Sequence, residues 1–245
     1  MSSIRKNDLR ENIDDAMRNY TDHKLGHSYN VMKRILELTD NAKSNVNFPA
    51  LSENAIFVFA LAALLHDICM SGHPKIKSDK NIMEHFEVKY KSSINYNDYP
   101  EDARSYSDKQ QEEIRKFHAY FAIAKIKLAR AESTHDLHSC LSEIEDDYLK
   151  YVFILVQFHC KEPLIKIPDN IPGTPITDIV LPFSAILFRL ADELDLGNER
   201  DIKAAREQGM IPRSEAYWEM DFRMDVSISS SNYISIKFRA NQQST

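Results

Sequence analysis

At 245 residues, with 43% hydrophobic and 28% charged side chains, the chain is long enough to build one domain with a sizeable core, and its formal net charge of −6 argues against sequence-blind binding to a phosphate backbone. Only 5 glycines are present, too few for a turn-rich β-sandwich or a glycine-looped dinucleotide fold, and neither a G-x-G-x-x-G nor a Walker-type loop occurs, so the composition leans towards helices. Three scattered cysteines, Cys69, Cys140 and Cys160, suit reduced thiols rather than a disulfide framework, and the polar start Met1-Ser-Ser-Ile-Arg-Lys makes the cytoplasm the expected compartment.

In chain order, residues from about Asp8 to Tyr20 predict a short amphipathic helix over the start of the domain. The next segment, Asp22 to Leu38, places His27, Val31, Ile35 and Leu38 within one stripe at about 100° per residue, so His27 faces the core. A loop of Asn, Ser and Pro, Asn41 to Pro49, separates it from Phe57-Val-Phe-Ala-Leu-Ala-Ala-Leu-Leu-His66-Asp67-Ile-Cys-Met. That run is too short to span a bilayer and predicts a helix buried on all sides, with Ser52 or Asn54 as its N-cap. An imidazole and a carboxylate at the end of such a helix need compensation. The dipeptide alone fits either a satisfied core histidine beside a helix-end aspartate or a pair of metal ligands.

Ser71-Gly-His73-Pro breaks the chain, and the polar stretch to Asp108, with His73, Lys75, Lys77, His85, Lys89 and Arg104, reads as a solvated connection or a substrate-reading lid. Helical period returns over Lys109 to Ala131, where Ile114, Phe117, His118, Phe121, Lys125 and Leu128 fall near one face. After a polar linker, Glu132 to His138, the capping-box pattern Ser142-Glu-Ile-Glu is expected to open a helix running to about Cys160, whose stripe of Val152, Leu155 and Val156 is extended by His159. Lys161 to Asp178 holds four prolines and predicts a loop. In the following helix, Ile179 to about Gly197, Leu181, Ala185, Phe188 and Asp192 share a face while Glu193 points elsewhere. Met224 to Phe238 alternates with period two around Ser-Ser-Asn and predicts a β-hairpin, which must dock on the helices or pair with another chain or domain.

Five helices thus bring His27, His66 with Asp67, His118, His159 and Asp192 to inward faces. Burying each polar group unaided would cost about 1–3 kcal/mol, and convergence on metal accounts for all of them together. In this order the set resembles the HD-domain superfamily of metal-dependent phosphohydrolases, whose ligands run H, HD, H, H, D on the helices of an all-α bundle. "GHSYNVMKRILEL", "ALLHDICM", "RKFHAYFAIAKI" and "RLADELDLGNER" are similar to that family's successive ligand-bearing segments, and the resemblance covers about Asp22 to Arg200. The "RLADELD…R" and "R-x-x-H-A" wordings also resemble a subgroup whose domain precedes an Hsp90-type ATPase, and no such ATPase lies within these 245 residues.

The fold expected from this resemblance is an all-α HD-domain helical bundle over residues 1–210, followed by a C-terminal extension, 211–245, whose β-hairpin packs on it. It implies that His27, His66, Asp67 and Asp192 hold one divalent metal and that His118 and His159 complete a second, with Asp67 bridging. His23 competes with His27 for the first place and Asp195 with Asp192 for the last; the family match prefers His27 and Asp192. Imidazole and carboxylate ligands without thiolate suit Mn, Fe, Co, Ni or Mg. Arg115, one turn before His118, is placed to reach a metal-bound phosphate or to make a helix-face contact, with Lys75, Lys77 and Arg200 as further cations. His73, His85, His135 and His138 have no counterpart and are expected in solvent.

The implied activity is hydrolysis of a phosphate ester or phosphoanhydride in a small, nucleotide-like substrate by a metal-activated water, with Asp67 and Arg115 as the catalytic pair. A regulatory, sensor or oligomerisation module that keeps the metal site is the alternative, and it would use the hairpin to meet a second copy or a partner domain. Cleavage of extended nucleic acid is disfavoured by the acidic charge and the lack of a basic stripe, and no membrane partner is expected.

Overall fold

Helix α1 (Leu25–Ala42) and helix α2 (Glu53–Leu65) pack together in a helical bundle, because each carries apolar residues that the other helps to cover. The computed structural model describes residues 25–42, 50–70, 105–160, 162–195, 224–228 and 234–238. The helix expected over 8–20, His23, His73, Lys75, Lys77, His85, Lys89, Arg104, Arg200 and the boundary at 210/211 lie outside the described residues. Ser52 caps α2 by accepting from the Ala55 amide at 3.0 Å. Asn54, the other expected cap, instead donates to the Asp178 carboxylate at 3.0 Å and ties the helix start to the loop that precedes Leu181.

Helix α3 (Asp108–Ala131) opens with a capping box, in which Ser107 and Gln110 satisfy each other's backbone amides. The expected box at Ser142 does not form. A short helix, α4 (His138–Leu141), ends on Ser142, whose amide donates to the His138 carbonyl at 2.9 Å, so Ser142 closes one helix and cannot start another. Helix α5 (Asp146–Phe158) begins four residues later with Asp146 and Asp147 in its first turn, where carboxylates complement the helix dipole. Helix α6 (Leu181–Glu193) is shorter than its periodicity suggests and starts at Pro182's turn, where the missing amide hydrogen leaves no bond broken.

In the bundle, α2 packs on α1 and α5, α6 packs on the same two helices, and α3 lies against α5. Fully buried Ile35, Phe59, Leu155, Leu181 and Phe188 fill the middle, with the Phe59 and Phe188 rings stacked at 6.4 Å. Helix α2 is not buried on all sides: Ile56, Phe57 and Leu64 are 41%, 43% and 53% exposed, because its neighbours cover only the face carrying Val58, Phe59 and Ala62. The proline-rich loop after α5 contains one 3-10 turn, Leu164–Lys166, and a Pro172-Gly173 turn with Gly173 at φ +75°. Tyr151 donates to the Ile176 carbonyl at 2.7 Å and Arg189 to the Glu162 carbonyl at 3.1 Å, which fastens that loop without regular structure.

Strands β1 (Met224–Ile228) and β2 (Ile234–Phe238) pair antiparallel, with Val226 opposite Ile236, as the period-two pattern predicts. The hairpin docks on the bundle through β1, which touches α1. No described helix is long and apolar enough to cross a membrane.

Candidate metal centre

Three helices end at one point, and their last residues are the polar ones the sequence singled out. His66 caps the C-terminus of α2, His159 caps that of α5, and Asp192 sits in the last turn of α6. A helix C-terminus carries partial negative charge and unpaired carbonyls, so three of them facing one spot favour a cation there. Backbone carbonyls three residues back orient three of the histidines. His66 donates through Nδ1 to the Ala63 carbonyl at 3.0 Å, His159 to Val156 at 2.5 Å, and His118, within α3, to Arg115 at 2.6 Å. His27 uses Nδ1 differently, against Asp195 Oδ2 at 2.6 Å.

With every Nδ1 engaged, the four Nε2 atoms converge. His27 and His66 meet at 3.1 Å, and His118 and His159 at 2.8 Å. Asp67 lies between the two pairs. Its Oδ2 is 3.4 Å from His27 Nε2 and 3.0 Å from His66 Nε2, while its Oδ1 is 3.2 Å from His118 Nε2 and 3.8 Å from His159 Nε2. Asp192 Oδ1 completes the first side, 3.1 Å from His27 and 3.5 Å from His66. Two lone pairs aimed at each other across 2.8 to 3.1 Å repel unless a proton or a cation stands between them. The donor set fits a divalent metal, since neutral imidazole and carboxylate are its usual partners.

Asp192 faces the Nε2 side of His27, whereas Asp195 lies against the far nitrogen, Nδ1, and fixes the tautomer of the ring. All six sequence-predicted ligands lie in the cluster. Its members are unequally buried: the side chains of Asp192 and His118 are 19% and 14% exposed against 1% for His66. Arg115 stands at the rim: its side chain is half exposed, with Nη1 4.0 Å from Glu112 Oε1 on the same helix. His135 and His138, expected in solvent, are half-buried, because His138 Nδ1 donates to the Ala129 carbonyl at 3.0 Å and Leu137's amide donates to His135 at 3.1 Å.

One member was missed. Cys160 Sγ lies 3.3 Å from His118 Nε2 and 3.4 Å from His159 Nε2, and these three residues can together offer a metal one ligand atom each. Adjacency to His159 is the only signal the sequence carries, and it misleads, because consecutive residues of a helix do not share a face. The helix stops at Phe158, and beyond it that rule no longer applies.

The charges are tightly coupled. Burial opposes charging His27, yet Asp192, Asp195 and Asp67 hold its pKa well above the ordinary value. Burial likewise opposes His66, but Asp67 and Asp192 push it from 6.5 to about 9, and His118 is raised against burial by Asp67 and Cys160. Asp192, despite burial, is held well below the usual carboxylate range by His27 and His66. The Cys160 thiol, which burial would raise, is brought down to about 6 by His159 and His118.

A pH dependence with a definite sign follows. A histidine raised from 6.5 to about 9 binds its proton more tightly in the folded chain, so its contribution is full below 6.5 and is lost as pH rises through about 9. Chelator-stripped protein should therefore lose stability over that window, on the order of 3 kcal/mol from His66. Metal needs the unprotonated ring, so the rise in Tm that metal produces should grow over the same window. Thermal melts with and without chelator, from pH about 6 to about 9.5, check both; a metal-induced rise that shrinks with pH would refute the assignment.

Among known proteins, a family model described as HD-CE matches residues 17–242, nearly the whole chain and all of the cluster. No curated protein and no solved structure matches it.

Proposed function

Because the chain belongs to the HD-CE family, an HD-domain family, we propose that it is a metal-dependent phosphohydrolase acting on a small phosphorylated, nucleotide-like substrate. The observation that carries this reading is Asp67, whose two oxygens face two separate pairs of histidine nitrogens. His27, His66, Asp192 and Asp67 Oδ2 would hold one divalent cation, and His118, His159 and Asp67 Oδ1 a second. A divalent cation held by these residues would supply an acidified water and charge stabilisation for a phosphoryl group.

The chain's own residues set the conditions for that chemistry. Asp67 fixes the distance between the two histidine pairs, and the Nδ1 hydrogen bonds keep each ring from turning. Phe188, fully buried, packs in T-shaped contact with His66 at 5.6 Å and with His159 at 6.4 Å and supports both rings on their apolar side. A phosphate would enter beside Asp192 and His118, which are less buried than His66. Arg115, on the same helix as His118 and one turn earlier, would leave Glu112 to meet its negative charge.

Release of phosphate or nucleoside from a panel of nucleotides, dinucleotides and oligonucleotides, each tested with Mn, Co, Ni and Mg, tests the proposal. Expected is release from nucleotides that depends on added metal and is abolished by His66→Ala. If the wild type binds metal stoichiometrically and releases nothing, the protein is a metal-binding regulatory module, for which the docked hairpin supplies a surface.

A further inference from the structure

The half of the cluster furthest from His27 contains a sulfur. Cys160 Sγ stands almost equally far from two nitrogens, 3.3 Å from His118 Nε2 and 3.4 Å from His159 Nε2, which are themselves 2.8 Å apart. A thiol has one proton and can satisfy one of those nitrogens, leaving the other with its lone pair against sulfur lone pairs. A cation satisfies all three at once. Ligand atoms of a tetrahedral site, with bonds of about 2.0–2.3 Å, stand about 3.3–3.7 Å apart, which matches the spacing of sulfur from each nitrogen here, while the two nitrogens, 2.8 Å apart, would have to separate by about 0.5 Å around an ion. Asp67 Oδ1 lies beside the same two nitrogens, 3.2 Å from His118 Nε2 and 3.8 Å from His159 Nε2.

We propose that Cys160, as a thiolate, is a ligand of the cation held by His118, His159 and Asp67, and that the two positions of the centre therefore differ in metal preference. This rests on the reading of two cation positions joined by Asp67. On binding, one S–H bond is exchanged for one sulfur–metal bond and the proton leaves to solvent, so no oxidant or reductant is involved. The Cys160 position, with two nitrogens, one oxygen and one sulfur, suits a borderline-soft ion such as zinc, cobalt or iron. The His27 position, with two nitrogens and two carboxylate oxygens, suits harder manganese or magnesium better.

Cobalt titration of the full metal-free chain under anaerobic conditions tests this without an activity assay. The expected result is a thiolate-to-cobalt charge-transfer band in the near ultraviolet that saturates at one equivalent per chain, disappears in both Cys160→Ser and Cys160→Ala, and persists in Cys140→Ser. Zinc affinity of the Cys160→Ser chain should fall by at least about tenfold, while manganese binding is unchanged; far-ultraviolet circular dichroism confirms that each variant is folded. Two equivalents of cobalt without the band, or a band that survives Cys160→Ser, would overturn the thiolate ligand and leave the two-position reading standing. Failure of cobalt to bind at all would overturn both.

Discussion

Asp67→Asn is expected to lower phosphohydrolysis by about 10³-fold or more, since metal-based charge stabilisation supplies several kcal/mol and each 1.4 kcal/mol is a factor of ten. The substitution keeps size and shape, so the fold should survive. What changes is that one of the two oxygens becomes an amide nitrogen, which has no lone pair to offer, and the charge shared by both histidine pairs disappears. Oδ1 and Oδ2 each face a different pair, so either orientation of the amide leaves one pair without its carboxylate. Metal analysis of the purified variant should find at most one equivalent per chain where the proposed two-cation centre predicts two for the wild type. Wild-type metal content together with wild-type turnover in Asp67→Asn would remove Asp67 from the centre of the site.

Phe188→Ala is the largest stability effect expected from a single side chain near the cluster, about 3–5 kcal/mol of the roughly 5–15 kcal/mol that holds a domain folded. The ring is fully buried, stacks on Phe59 at 6.4 Å and meets the edges of two histidines. Truncation leaves a cavity between α2 and α6 and removes the wall that keeps His66 and His159 in their rotamers. Metal affinity should therefore fall together with stability, whereas Phe188→Leu, which keeps most of the volume, should lose less of both. By contrast Leu190, 37% exposed on the same helix, should tolerate alanine within about 1 kcal/mol. Denaturant unfolding measures the difference; a loss under 1 kcal/mol at Phe188 would mean that the Phe188 ring does not organise the site.

Much of this centre is legible in the chain before it folds. His27, Val31 and Ile35 repeat at helical spacing, and that spacing alone turns the imidazole inward; the buried states of all three follow from it. The same spacing sets Asp192 on the face of buried Leu181, Ala185 and Phe188, although the carboxylate itself is only half-buried, and the hairpin's alternation matches its register of Val226 opposite Ile236. Local rules failed where two local structures competed. Ser142 has a capping-box neighbour, but its amide completes α4, and the box that does form, at Ser107, was hidden in a polar stretch.

Other features belong to tertiary structure alone. An apolar run reads as buried all round because hydropathy reports what a helix would tolerate, whereas the neighbours available decide which face is covered, and Ile56, Phe57 and Leu64 are left outside. Asp192 and Asp195 are equivalent in the sequence, three residues apart. Only the placement of α1 beside α6 puts one on Nε2 and the other on Nδ1 of His27. Cys160 joins the cluster because α5 ends at Phe158 beside α3, a coincidence of two helix positions that no periodicity encodes. The sequence by itself determined which residues turn inward, since that depends on local period; which atoms then meet, at what distance and with what charge was decided by the packing of helices that lie far apart in the chain.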